Sequence, residues 1–157
     1  MAPSEAEKTA HAVAAQFGNR PDALIEILHK LQADLGYVPE ETVPVLADAL
    51  NLSRAEVHGV VTFYHDFRHK PTGRHVLKMC RAEACQAMGC EALVERAENR
   101  LGVSCGNGST SADGRVTLEP IYCLGLCATG PSAMLDGRVV GRLTPARLDA
   151  LLKEAGA

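Results

Sequence analysis

All six cysteines of this 157-residue chain lie between Cys80 and Cys127. Four of them form two spaced pairs, Cys80-x4-Cys85 and Cys123-x3-Cys127. Thiolates are soft anionic ligands, so four of them on two chain segments can hold zinc or an iron–sulfur cluster. In an oxidising compartment the four could instead be oxidised to two disulfides. Structural zinc favours gaps of about two to four residues, most often two. A [2Fe–2S] cluster is wider than one ion, and each iron takes two thiolates, so roomier segments suit it. A thioredoxin-type redox pair needs C-x-x-C, which the sequence lacks. On spacing, the cluster ranks ahead of zinc and disulfides come last.

Two ferric ions, two sulfides and four thiolates carry a formal charge of about −2, and one electron makes it about −3. Donors are needed to moderate that charge. The N–H groups of Gly125, Ala128 and Gly130 are candidates, although the two glycines are equally explained by turns. Lys78 and Arg81 could stand as cationic neighbours, but a solvated surface position is the favoured reading for both. Cys90 repeats the four-residue gap after Cys85, yet it falls on the apolar stripe of a helix and is assigned to packing. Cys105, in a Gly/Ser-rich stretch, is read as a bystander thiol.

The elements that carry the pairs follow from pattern. Residues 74–79 read as a strand and 86–101 as a helix with Cys90, Leu93, Val94, Ala97 and Leu101 on one face, stopped by Gly102. Residues 105–113 read as a loop. Residues 115–122 form a second strand. Asp136-Gly137 joins a hairpin of 132–135 and 138–142. Thr144 and Pro145 open a last helix carrying Leu148, Leu151 and Leu152. A strand–helix–strand unit makes its strands parallel, so the segments after them leave at one edge of the sheet. Cys80 and Cys123 each directly follow such a strand, so the two pairs are expected to meet.

The cysteine-free front reads as four amphipathic helices. Residues 4–17 carry Ala10, Val13, Ala14 and Phe17 at helical spacing before Gly18-Asn19. A second helix begins at Pro21 and carries Leu24, Ile27, Leu28, Leu31 and Leu35 before Gly36. A third begins at Pro39 with Val43, Leu46, Ala47 and Leu50. Ser53 and Glu56 form a capping-box pattern opening a fourth, with Val57, Val60, Val61 and Tyr64. Pro71-Thr-Gly73 reads as a linker. His65 and His69 are four apart, but without further nearby ligands solvated histidines are favoured over a zinc site.

Composition sets the class. Hydrophobic residues make up 46% and charged residues 22%, as in a folded globular chain. Residues 1–72 hold 6 Lys/Arg against 10 Asp/Glu, and residues 73–157 hold 10 against 9. No basic face can dominate, which removes the electrostatic basis for nucleic-acid binding. No apolar run approaches the roughly 20 residues needed to cross a bilayer. The polar start, residues 1–8, lacks an apolar signal core, so a cytoplasmic location with reduced thiols is expected.

With these residues in place the chain resembles a known family. Leu35-Gly-Tyr-Val-Pro39 and Val57-His-Gly-Val-Val-Thr-Phe-Tyr64 resemble the helical start of the thioredoxin-like [2Fe–2S] subunit of NADH:quinone oxidoreductase. Cys80-Arg-Ala-Glu-Ala-Cys85 and Cys123-Leu-Gly-Leu-Cys127, then Pro131, resemble its cluster segments. The likeness runs from about residue 20 onward. Within the family, Cys80–Gly89 and Asp136–Thr144 look most like the gamma subunit of soluble, NAD-dependent molybdenum formate dehydrogenases. Gly130 departs from the pattern, since relatives often carry Ala there.

The resemblance implies an α/β fold, with an N-terminal helical bundle for docking (1–72) and a thioredoxin-like [2Fe–2S] ferredoxin domain (73–157). It implies Cys80, Cys85, Cys123 and Cys127 as ligands of one [2Fe–2S] cluster. It also implies a flavin (FMN) and iron–sulfur NADH-binding partner and a molybdenum-containing large subunit. The chain itself would be a non-catalytic electron carrier. The alternatives are the equivalent subunit of NADH:quinone oxidoreductase or an NAD-linked hydrogenase, and, in another class, a zinc-stapled interaction module.

Overall fold

The computed structural model describes residues 3–106 and 108–157. Met1 and Ala2 of the polar start, and Asn107 of the 105–113 stretch, lie outside the described residues. The chain divides after Pro71 into two compact units.

In the first unit, α1 spans Glu5–Gln16, α2 Leu24–Leu35, α3 Thr42–Leu50 and α4 Arg54–Phe63. Ser4 and Glu7 cap α1 reciprocally, and Ser53 and Glu56 do the same for α4, which satisfies orphan N–H groups at both starts. A 3-10 turn, Pro21–Ala23, leads into α2, and Gly36 ends it at φ 84°. The third helix starts later than Pro39. The Thr42 hydroxyl and N–H both bond back to the Pro39 carbonyl, at 2.6 and 3.0 Å, so residues 39–41 form a turn instead. Val57 and Val61 are buried, but Tyr64 lies just past α4 in extended backbone and is exposed. Helix α1 packs on α2 and α3, and α3 on α4, around Val13, Ile27, Leu28, Leu31, Leu46 and Leu50. The Gln32 side chain binds the Asp66 carbonyl and the Arg68 N–H, at 2.8 and 2.7 Å, and so fastens the segment after α4 to α2.

In the second unit, β1 is His75–Cys80, α5 Glu83–Ala87, α6 Cys90–Leu101, β2 Ser109–Thr110 and β3 Val116–Ile121. A 3-10 turn, Cys127–Thr129, precedes β4 Ala133–Leu135, β5 Arg138–Val140 and α7 Pro145–Glu154. The sheet order is β2-β3-β1-β4-β5, with β1 and β3 parallel and the other pairings antiparallel. The fold is thus mixed α/β. Its core is Leu77, Met79, Leu118, Ala133 and Leu135 from the strands against Leu93, Val94, Ala97, Leu148 and Leu152 from α6 and α7.

Two expectations are corrected here. The helix expected over 86–101 is two helices, because Gly89 adopts φ 82°, which interrupts a right-handed helix. The stretch 105–113 is not wholly loop. Its β2 pairs with β3, and Thr110 Oγ1 meets Thr117 Oγ1 at 2.7 Å. Pro120 has no N–H to donate, and it lies beyond Leu118, the last residue of β3 that β2 pairs. Gly73, within the expected linker, bonds Thr117 Oγ1 through its N–H at 2.7 Å.

The Asp136-Gly137 turn has both residues at positive φ, 48° and 85°, as a two-residue hairpin requires. Asp136 Oδ1 accepts the Val76 N–H at 2.8 Å and Oδ2 meets His75 Nδ1 at 2.7 Å. Burial would raise the Asp136 pKa, but those two partners outweigh it and hold the carboxyl below its usual 3.8. A carboxylate depressed in the folded state stabilises fully above its unfolded pKa, and that stability is lost as pH falls through the folded one. Asp136→Asn keeps a side chain that tolerates positive φ. Urea unfolding should show wild type more stable than Asp136→Asn near pH 6. The gap should close as pH falls below about 3.8. A gap independent of pH would refute this account.

Candidate metal centre

Strands β1 and β3 run parallel with Cys80 opposite Ile121, so both release the chain at one rim. The Arg81 N–H donates to the Ile121 carbonyl at 2.8 Å and joins the two exits. Cys80 is the last residue of β1 rather than the first after it, because its N–H still bonds the Ser132 carbonyl at 3.0 Å. Cys85 sits on α5, Cys123 two residues past β3, and Cys127 opens the 3-10 turn.

Burial divides the set. Cys80 and Cys85 are 1% and 2% exposed, whereas Cys123 and Cys127 are exposed. Cys123 Sγ and Cys127 Sγ stand 3.6 Å apart. Two thiolates on one tetrahedral metal, at bonds of about 2.3 Å, are about 3.8 Å apart, so this pair is already spaced for a shared metal. At Cys80, burial acts against ionisation. The Ala82 N–H, the Cys85 side chain, the Cys123 N–H and the Ser132 hydroxyl together prevail and lower its pKa. At Cys127 the bond and charge of Cys123, then burial, then Cys85 and Cys80, raise it. The four sulfurs therefore share one neighbourhood. Among the described residues, no three His, Cys, Asp or Glu side chains converge on a point that could hold one ion.

The loop carrying Cys123 and Cys127 is held in an uncommon shape. Cys123 has φ 111°, a conformation that residues with a Cβ seldom adopt outside functional sites. Gly125, at φ 75°, turns its N–H onto Cys123 Sγ at 3.3 Å. That is one of the three backbone donors expected from sequence. The Gly130 N–H goes instead to the Cys127 carbonyl at 3.4 Å, and Ala128 lies exposed in the 3-10 turn. The far end of the loop is tied down by Arg142 N–H to the Thr129 carbonyl (2.5 Å) and Leu143 N–H to the Pro131 carbonyl (2.9 Å). The Gly130–Pro131 bond is cis. A Cβ at Gly130 would lie 3.4 Å from Cys85 Sγ, within ordinary contact, so an alanine there has room.

The neighbouring side chains differ in part from expectation. Lys78 and Arg81 are partly buried and ion-paired rather than freely solvated. Lys78 pairs with Glu119 at 3.9 Å, both mostly buried, and Arg81 grips Glu91 through two bonds of 3.0 and 2.7 Å. Cys90 packs with Cys80 and Cys85 beside Ala82, Ile121 and Leu124. Burial, then the Glu91 charge, pushes its thiol up to about 11. Cys105 is fully buried in the main core, and burial pushes it up to about 11. His65 and His69 lie past the end of α4, so they share no helix face. Sequence reasoning missed Ser132, whose Oγ lies 3.6 Å from Cys85 Sγ. Its only sequence signal is its place directly after Pro131.

Residues 10–156 match the thioredoxin-like [2Fe–2S] ferredoxin family. The E subunits of the NADH-quinone oxidoreductases of Pseudomonas aeruginosa and Escherichia coli are both 37% identical to this chain over 131 residues, 83% of this chain and 78% of each relative. The HndA subunit of the NADP-reducing hydrogenase of Solidesulfovibrio fructosivorans is 33% identical over 83% of this chain and 75% of its own length. Among solved structures, an air-oxidised NAD+-reducing [NiFe]-hydrogenase superposes with a TM-score of 0.72 at 26% identity. That match covers 85% of this chain but only 23% of the hydrogenase chain.

Proposed function

Because the chain belongs to the thioredoxin-like [2Fe–2S] ferredoxin family, we propose that it is the electron-transfer subunit of a soluble, NAD-dependent molybdenum formate dehydrogenase. The observation that carries the ligand set is the meeting of two thiol pairs at one sheet rim. Cys80, Cys85, Cys123 and Cys127 would hold the cluster. The cluster, when bound, stores and releases single electrons. The protein around it keeps water from Cys80 and Cys85, aims the Gly125 N–H at Cys123, and holds the outer loop through Thr129 and Pro131. We assign the bond chemistry to partners, and electron transfer alone to this chain.

Those partners are a flavin (FMN) and iron–sulfur NADH-binding subunit and a molybdenum-containing subunit. The helical residues 1–72 form the docking bundle. Support for formate comes from the segments Cys80–Gly89 and Asp136–Thr144. A second reading, the equivalent subunit of an NADH:quinone oxidoreductase or an NAD-linked hydrogenase, draws equal support from the relatives at 37% and 33% identity. No helix among the described residues is long and apolar enough to cross a membrane.

Anaerobic purification of the tagged chain with its partners tests the proposal. The expected result is about two iron and two labile sulfide per chain, molybdenum in the complex, and formate-dependent NAD reduction. A molybdenum-free complex driven by hydrogen or coupled to quinone overturns the formate assignment. Stoichiometric zinc without labile sulfide overturns the cluster.

A further inference from the structure

Ser132 presents a buried hydroxyl to the candidate ligands. It is 2% exposed, and its Oγ lies 3.6 Å from Cys85 Sγ, a hydrogen-bond length lengthened by the size of sulfur. It also acts on Cys80 as a hydrogen-bond partner. Its own carbonyl accepts the Cys80 N–H at 3.0 Å, so its position is fixed by the strand that ends in a candidate ligand. Buried hydroxyls keep a partner, and the partners described for this one are sulfurs. A thiolate on a metal has no proton to give, so the direction of the bond is settled: the serine donates.

We propose that Ser132 is a positioning residue that sets the reduction potential of the cluster, by donating its hydroxyl proton to the Cys85 sulfur. The inference rests on the cluster reading above. Reduction adds one electron to the cluster and no proton moves; the hydrogen stays on Ser132 throughout. The sulfur gains negative charge on reduction, so the donor stabilises the reduced form more than the oxidised one. Removing it makes the cluster harder to reduce.

Four full-length chains loaded with cluster test this by anaerobic spectroelectrochemistry: wild type, Ser132→Ala, Ser132→Thr and Ser132→Val. One hydrogen bond of ordinary strength corresponds to about a three- to tenfold change in equilibrium. Ser132→Ala should therefore lower the reduced-to-oxidised ratio at fixed potential about three- to tenfold, equal to roughly 28 to 59 mV for one electron. Thr and Val share a shape and differ in the hydroxyl, so Ser132→Thr should track wild type and Ser132→Val should track Ser132→Ala. Iron and sulfide are assayed in each. Equal midpoints in Thr and Val, or in wild type and Ala, with full iron content overturn the role of Ser132 and leave the cluster standing. Wild type without iron and sulfide overturns the parent reading instead. If Ser132→Ala fails to load, the Thr and Val pair decides.

Discussion

Replacing Cys123 by Ser is expected to remove most of the iron and labile sulfide from the chain, together with the reduced-state EPR signal. A serine hydroxyl is a harder donor than a thiolate and stays protonated near neutral pH, so it cannot take the same place on iron. Partners outside the ligand set typically change metal affinity 10- to 100-fold, so loss of a ligand should lower it by at least about tenfold. The effect should extend to stability. Cys123 is held at φ 111°, a backbone state that costs on the order of 1–3 kcal/mol and needs its surroundings to maintain it. Metal binding couples to folding, so the loop that lost its metal should become more labile to proteolysis. Cys90→Ala supplies the contrast. That thiol also packs against Cys80 and Cys85, yet burial holds it neutral. Its removal should cost about 1 kcal/mol and leave iron content unchanged. An intact EPR signal in Cys123→Ser, or loss of iron in Cys90→Ala, would show that the ligands have been assigned wrongly.

Gly141→Ala is expected to be the most damaging glycine substitution near the centre, although it touches no cysteine. A Cβ there would lie 2.7 Å from Thr129 Oγ1 and 3.0 Å from the Thr129 carbonyl oxygen. The same carbonyl accepts the Arg142 N–H, and Arg147 Nη1 binds the carbonyls of Gly141 and Arg142 at 2.8 and 3.2 Å. The connection from β5 to α7 therefore has little freedom to withdraw. The new methyl must displace Thr129, two residues beyond Cys127. Overpacking of this kind costs roughly 1–3 kcal/mol. In a domain of this size each kcal/mol moves Tm by roughly 4–8 °C. Cluster retention should fall with it. Gly59→Ala is the control, since nothing lies within 4 Å of its added Cβ and it sits in α4. Alanine is a better helix former by up to about 1 kcal/mol, so its sign should be opposite. Equal melting temperatures for Gly141→Ala and wild type would mean that this connection does not brace the loop.

What the sequence makes legible here is what local physics decides. The Ser53–Glu56 box, the Thr144–Pro145 start and the Asp136-Gly137 turn each depend on residues within one turn, and all appear where the pattern puts them. The apolar spacing of Leu24 to Leu31 likewise predicts a buried face, and that face is buried. The pairing within each cysteine pair is visible in the spacing, and the parallel run of β1 and β3 is implied by their order. Other features need the third dimension. Strand β2 is two residues long, too short for any alternation, and exists because Thr110 meets Thr117 across the ladder. Gly89 carries no mark that separates a break from a tolerated helix glycine. Cys105 sits in a polar stretch, and only folding shows that it closes the core. Lys78 and Glu119 are far apart in the chain and meet because their strands are in register.

The unequal cover over the four sulfurs has a consequence for wear. A peroxide or chelator arriving from bulk water meets Cys123 and Cys127 first, while Cys80 and Cys85 are buried beside Cys90, Ala82, Ile121 and Leu124. Dismantling of the cofactor would then proceed in a set order, from the outer loop inward. The same opening gives a redox neighbour its shortest approach. A partner that settled over that loop would serve at once as conductor and as shelter.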